Sequence, residues 1–283
     1  MTADPISRRA FVHEAAAAAA LAFAPGLAVA ADGLGRAKLD AIGIQLYTVR
    51  AQMAANVDTT IAAIAEIGYR EVEFAGLFGK SAREMRAILD RNHLVAPCSH
   101  VSVPPTADEW QRMLEDAATL GQAYIACASI GGRDRSVDGY KRVAAQFNTA
   151  GAAAKRAGLQ FAYHNHDFEF RPVDGRLPYD ILLAECDADL VKMEMDLYWI
   201  VTGGQDPLAY FARHPGRFPL VHVKDRATDG AMADVGAGTI DFKAIFAQAG
   251  RAGIKHYFVE HDNTKDPLAT ARASFDYLKR LTF

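Results

Sequence analysis

The chain of 283 residues is poor in cysteine, has no surplus of positive charge and holds no apolar run of membrane-spanning length. Each absence removes a class of function. Its three cysteines, Cys98, Cys127 and Cys186, stand far apart in apolar segments, so they outline neither a disulfide framework nor a zinc ribbon. They read as small buried side chains. Thirty-one Lys and Arg face 34 Asp and Glu, for a formal charge of −3. Without a basic excess there is little to hold a polyphosphate backbone, and no nucleic acid partner is expected. The one strongly apolar stretch, 15–24, is alanine-rich and well short of the roughly 20 residues a spanning helix needs. No membrane span is expected in the mature protein.

What is present begins with an address. Arg8 and Arg9 follow Ser7 and precede Phe11; the apolar stretch comes next, and Ala28-Val29-Ala30 closes it with small residues at alternate positions. Charged, apolar and small-x-small segments in that order make residues 1–30 a signal peptide, and the arginine pair gives it a twin-arginine character. The protein is therefore expected to be exported, to the periplasm or beyond. Cleavage removes Asp4 and Glu14 together with Arg8 and Arg9, two acids and two bases, so the charge stays at −3. Residues 31–40 read as a linker and 41–283 as one catalytic domain.

In that domain short β-branched or aromatic runs alternate with helix-period segments. Strands are expected at 42–48, 71–74, 95–101, 123–128, 160–164, 190–196, 220–223 and 257–260. Helices are expected at 59–67, 82–91, 107–120, 140–157, 179–185, 207–214, 242–252 and 267–281. Ile61, Ile64 and Ile67 recur as one buried helix face requires. Eight alternations imply parallel strands joined by right-handed crossovers. An open doubly wound sheet would carry a Gly-rich loop after its first strand, whereas this one ends Gln45-Leu46-Tyr47-Thr48. A single (β/α)8 TIM barrel, an α/β fold, is the expectation.

Chemistry in such a barrel sits where strands end. Glu73 ends the second expected strand, His100 the third and His164 the fifth, with His166 just beyond; Asp196 ends the sixth, His222 lies in the seventh and Glu260 closes the eighth. Six strands thus send an acid or imidazole toward one rim. A buried carboxylate is costly unless paired, hydrogen-bonded or bound to a metal. Asp196, His222 and Glu260, each set among buried neighbours, are best explained by a divalent cation. Mixed oxygen and nitrogen ligands without thiolate suit Mn, Mg, Co or Zn.

The same residues resemble the sugar phosphate isomerase/epimerase superfamily of xylose isomerase-like barrels. The likeness runs through 41–281: Gly43-Ile44-Gln45-Leu46-Tyr47, Gly68-Tyr69-Arg70-Glu71-Val72-Glu73, His222-Val223-Lys224-Asp225, and most specifically Gly236-Ala237-Gly238-Thr239-Ile240-Asp241-Phe242. The resemblance implies one divalent ion, manganese first, held by Glu, Asp, His and Glu from strands five to eight. Asp196, His222 and Glu260 match. The strand-five position carries His164 in His164-Asn165-His166, so either His164 is the fourth ligand or Glu169 folds back to supply a carboxylate. Trp199 stands where many members have a histidine, and could offer a flat face to a sugar ring.

Family members move a proton next to a carbonyl, so Glu260 is implied as ligand and base, with His166, Glu169 or Glu73 as its partner. Lys224 and His100 would orient or protonate a leaving oxygen; Lys224 has a second reading as ion-pair partner of Asp225. Tyr47, Glu73, His100 and Trp199 are the implied substrate contacts. Export, and the lack of an obvious Arg/Lys phosphate cluster, point to an unphosphorylated sugar, cyclitol or keto-glycoside as the small-molecule partner. Isomerase or epimerase chemistry is the first expectation. A 3-keto-glycoside lyase, hydrolase or dehydratase working by β-elimination is the alternative, and a non-catalytic periplasmic sugar-binding barrel the rival from another class.

Overall fold

A computed structural model describes residues 31–32, 36–104 and 106–283. The expected signal peptide lies outside the described residues. Eight parallel strands form a closed barrel: β1 (Gly43–Gln45), β2 (Glu71–Phe74), β3 (Val95–Val101), β4 (Tyr124–Cys127), β5 (Gln160–His164), β6 (Val191–Asp196), β7 (Leu220–Val223) and β8 (His256–Val259). Each strand pairs with its sequence neighbour, and β8 closes on β1 through Phe258↔Gly43 and Val259↔Ile44. That closure needs glycine. A Cβ on Gly43 would lie 2.6 Å from the Phe258 ring.

Around the barrel run α1 (Arg50–Ala55), α2 (Val57–Ile67), α3 (Ala82–Arg91), α4 (Ala107–Leu120), α5 (Val137–Arg156), α6 (Pro178–Glu185), α7 (Leu197–Thr202), α8 (Pro207–Arg213), α9 (Phe242–Phe246), α10 (Ala249–Ala252) and α11 (Pro267–Arg280). Among the described residues none is long and apolar enough to cross a membrane. Local chemistry sets their starts. Asn56, Ser136 and Asp266 each accept an N-terminal amide of the following helix, and Ser81 with Glu84 completes a capping box.

Strand alternation sorts side chains between two cores. Val72, Phe74, Phe161, Tyr163, Met193, Met195, Val221 and Val223 point outward into the main apolar core, with Ile61 and Ile64 of α2 in the same cluster. Inside the barrel, Cys98, Tyr124, Ala126, Ala162, Leu220 and Phe258 form a separate apolar plug. The lumen is therefore filled, and the polar residues above it sit on a dry floor.

Five departures from the sequence expectation stand out. The first strand stops at Gln45, because its side chain accepts the Tyr47 N–H and the chain winds into a 3-10 turn over Leu46–Val49. Strand β8 ends at Val259, leaving Glu260 one residue past it. The segment 197–202 is helical rather than loop, and 242–252 breaks into α9 and α10 at Ala247-Gln248. The expected linker is partly structured: Ala31–Asp32 pairs with Arg36–Ala37, and Ala37 exchanges backbone hydrogen bonds with Phe283.

Candidate active site

The C-terminal rim gathers the inward side chains of β2, β3, β5, β6, β7 and β8. His222 is the hub. Its Nδ1 lies 2.7 Å from Glu260 Oε2 and its Nε2 lies 2.6 Å from Glu73 Oε2, with the ring fully buried. Burial alone would lower its affinity for a proton, but Glu194, Glu260 and Glu73 raise its pKa well above the ordinary imidazole value. Lys224 stands beside it, with Nζ 2.7 Å from Glu260 Oε2, 2.9 Å from Asp262 Oδ1 and 3.1 Å from Asp196 Oδ2. Lys224 does not pair with Asp225, which corrects that expectation. Asp225 is occupied instead by four backbone amides, those of Arg226, Gly236, Gly238 and Ile240. The glycine of that loop is required: a Cβ on Gly238 would meet Asp225 Oδ1 at 2.3 Å.

Asp196 divides its oxygens between architecture and chemistry. Oδ1 accepts the Trp199 N–H and starts α7, while Oδ2 faces Lys224 and His222. Burial pushes its carboxyl up to about 6, against the opposing charges of Lys224 and His222. Burial also raises Glu260, yet Lys224 and His222 outweigh it and hold that carboxyl well below the usual range. Asp196, His222 and Glu260 offer ligand atoms within 4.8 Å of one another, and the oxygen-rich set fits a divalent ion.

His164 lies between two carboxylates. Its Nε2 is 3.8 Å from Asp196 Oδ2 and its Nδ1 is 3.4 Å from Glu194 Oε2. Glu169 does not fold back to the ion-binding group. Its carboxyl accepts from the Tyr163 hydroxyl and, at 2.8 Å, from the His166 N–H; burial pushes it up to about 8. Glu169 thus fixes the 164–170 turn rather than serving as ligand or free base. His166 is half-buried at the mouth, its ring stacked on Phe168 at 5.4 Å and 5.7 Å from Trp199. Burial and then Lys224 lower its pKa to about 4. Trp199 also lies 5.7 Å from Lys224 Nζ, and Tyr47 stands exposed under the Arg50 guanidinium.

Glu73 and His100, expected as substrate contacts, are placed beneath the rim. Glu73 is fully buried and its Oε2 also accepts from Gln45 Nε2 at 2.8 Å. The His100 ring stacks on His222 at 4.9 Å, with Nε2 2.5 Å from Glu194 Oε2. Glu194 was missed in the sequence, where Met193-Glu194-Met195 reads as an apolar strand. The signal was its parity with Asp196: both point inward, while Met193 and Met195 face the helices.

Residues 61–281 match the family model described as a xylose isomerase-like TIM barrel. The chain belongs to that family. An inosose dehydratase of Lacticaseibacillus casei is 25% identical over 256 residues, covering 75% of this chain and 85% of the relative. A sugar phosphate isomerase/epimerase structure from Parabacteroides distasonis superposes with a TM-score of 0.75 at 27% identity, covering 85% of this chain and 98% of that one. The E. coli 3-keto-D-glucoside 4-epimerase, at 20% identity and a TM-score of 0.67 over 85% of this chain and 99% of its own, shares the fold. The chain is an enzyme of this superfamily rather than a sugar-binding barrel without chemistry.

Proposed function

We propose that this xylose isomerase-like barrel is a divalent-metal-dependent enzyme, active after export, that removes a proton next to the carbonyl of an unphosphorylated keto sugar, cyclitol or keto-glycoside. The observation that carries the reading is Glu260: buried at the rim and held between His222 Nδ1 and Lys224 Nζ, which keep its carboxyl well below the usual range. Asp196, His222 and Glu260 would hold the ion, manganese first and magnesium, cobalt or zinc as alternatives. When bound, the ion supplies Lewis acidity that stabilises negative charge on the substrate oxygens.

The chain's own residues do the rest. Glu260 takes the proton from carbon. Lys224, kept charged by Asp196, Glu260 and Asp262 despite the opposing pull of burial, donates to the oxygen that gains charge. His166, Phe168 and Trp199 wall the mouth with flat faces that suit a sugar ring.

One detail favours β-elimination over epimerisation. Epimerisation needs a second base on the opposite face, and Glu169 is tied to Tyr163 and His166. Glu260 alone suffices for syn elimination: it takes the Cα proton, the carbon–carbon double bond forms as the β C–O bond breaks, and the same proton passes to the departing oxygen. The inosose dehydratase relatives support that arm. Epimerisation remains the second reading, with the neutral His166 as the opposite-face group.

The test is conversion of an inosose and a 3-keto-glucoside by the mature protein with manganese, followed by mass spectrometry. Loss of water or of the aglycone is expected, together with a fall of at least about 10³-fold in Asp196→Asn. No conversion of any carbonyl substrate, or undiminished conversion by the variant, contradicts the proposal. Export is tested separately: replacing Arg8 and Arg9 with lysine should leave the uncleaved chain in the cytoplasm, whereas unchanged processing and location contradict the twin-arginine route.

A further inference from the structure

The buried carboxylates of the barrel lie at two levels. Asp196 and Glu260 form the upper one, both paired with Lys224. Glu194 precedes Asp196 by two residues on the same face of β6, so it lies about 7 Å further down the strand, and Glu73 lies near it across the lumen. Among the described residues no lysine or arginine pairs with Glu73 or Glu194. Their partners are the Gln45 amide, the Cys98 thiol beside Glu73 and three imidazole nitrogens: His100 Nε2 at 2.5 Å from Glu194 and 3.6 Å from Glu73, His164 Nδ1 at 3.4 Å from Glu194, and His222 Nε2 at 2.6 Å from Glu73 and 3.5 Å from Glu194.

Buried atoms without a hydrogen-bond partner occur at both levels, among them Asp196 Oδ2 and Asp262 Oδ1 at the rim and three below. Glu73 Oε1, Glu194 Oε1 and His164 Nδ1 are buried without a hydrogen-bond partner, on residues at most 2% exposed. His100, His164, Glu194 and His222 each offer a ligand atom, all within 4.8 Å of one another. Ligand atoms about 2.1 Å from a metal lie about 3.0–3.4 Å apart. The His164–Glu194 and His222–Glu194 separations are close to that spacing, and His100 has to withdraw from Glu194 by less than 1 Å.

We propose that the barrel holds a second divalent cation beneath the rim, on His100 Nε2, His164 Nδ1 and Glu194, with Glu73 or His222 Nε2 alongside. The donor sets differ in kind: the lower one is nitrogen-rich and suits zinc or cobalt, while the upper is oxygen-rich and suits manganese. His164 is thereby committed downward. The rim ion then keeps Asp196, His222 Nδ1 and Glu260, with its remaining positions open to substrate oxygens. The inference deepens the rim reading but does not depend on the substrate.

Equilibrium dialysis of the chelator-stripped mature chain against cobalt, followed by metal analysis, tests it. Two equivalents per chain are expected in the unmodified protein, one in Glu194→Gln and one in Asp196→Asn. A single equivalent in the unmodified protein that Asp196→Asn abolishes overturns the lower site, as does retention of two in Glu194→Gln. Undiminished binding in Asp196→Asn alone would instead sink the rim site and leave the lower one standing, so the two failures are distinct. Because the unmodified protein gives the first count, a variant that fails to fold does not blunt the test. The visible absorption of cobalt adds a second readout, with two phases expected on titration and one contradicting the proposal.

Discussion

Asp225 and Glu260 are both buried carboxylates at the same end of the barrel, and they live in opposite company. Asp225 accepts four backbone N–H groups, three of them from the Gly236–Ile240 turn. Glu260 meets only side chains, His222 and Lys224. A carboxylate satisfied by fixed amides has no capacity left for a ligand and serves as architecture. One held by an imidazole and an ammonium can exchange those partners for a metal or a proton. The glycine run that reads as the most specific motif is thus a clamp built around Asp225, and the chemistry lies next door.

Four substitutions break or sharpen this contrast. Glu260→Gln should lower turnover by about 10³-fold, within the range for a lost general base, with the thermal transition retained; activity within tenfold of the unmodified enzyme would move Glu260 to the architectural side. Asp225→Asn should do the reverse. It removes one acceptor from the amide cluster and should cost about 2–3 kcal/mol of unfolding free energy, while kcat of the folded fraction stays within about threefold. A catalytic loss without destabilisation would contradict its assignment.

Glu169 gives a pH signature. Its folded-state pKa of about 8 lies above the ordinary carboxyl value of 4.5. Its stabilising contribution is therefore complete below about pH 4.5 and is lost as pH rises toward 8, by up to about 1.4 kcal/mol per pH unit. Glu169→Gln should flatten that slope in denaturant titrations across the window; an unchanged slope means the carboxyl does not hold its proton. Trp199→Ala should have the smallest effect, raising KM about fivefold, about 1 kcal/mol of ring contact, with kcat nearly constant. A loss confined to kcat would show that the indole acts on Lys224 rather than on substrate.

The strands at 71–74, 95–101, 160–164 and 220–223 were legible to the residue, because buried runs between turn signals leave little choice of register. The first strand ends three residues early because Gln45 answers the Tyr47 N–H and bends the chain out of β1. The end of the sixth strand at Asp196 was legible, but not that Asp196 also starts α7; propensity alone carries neither effect. The upper site residues were readable from the strand ends. The lower level was not, since Glu194 sits between methionines and its meaning depends on His100 and His164, which arrive from other strands.

Hydrogen exchange at the substrate carbon tests the central claim most directly. A keto sugar incubated in deuterated water with the manganese-loaded enzyme should show, by NMR, loss of the proton on the single carbon next to the carbonyl, with Glu260→Gln slowing that loss in step with turnover. Product forming while that carbon keeps its original hydrogen, or exchange at an undiminished rate in Glu260→Gln, would contradict the account.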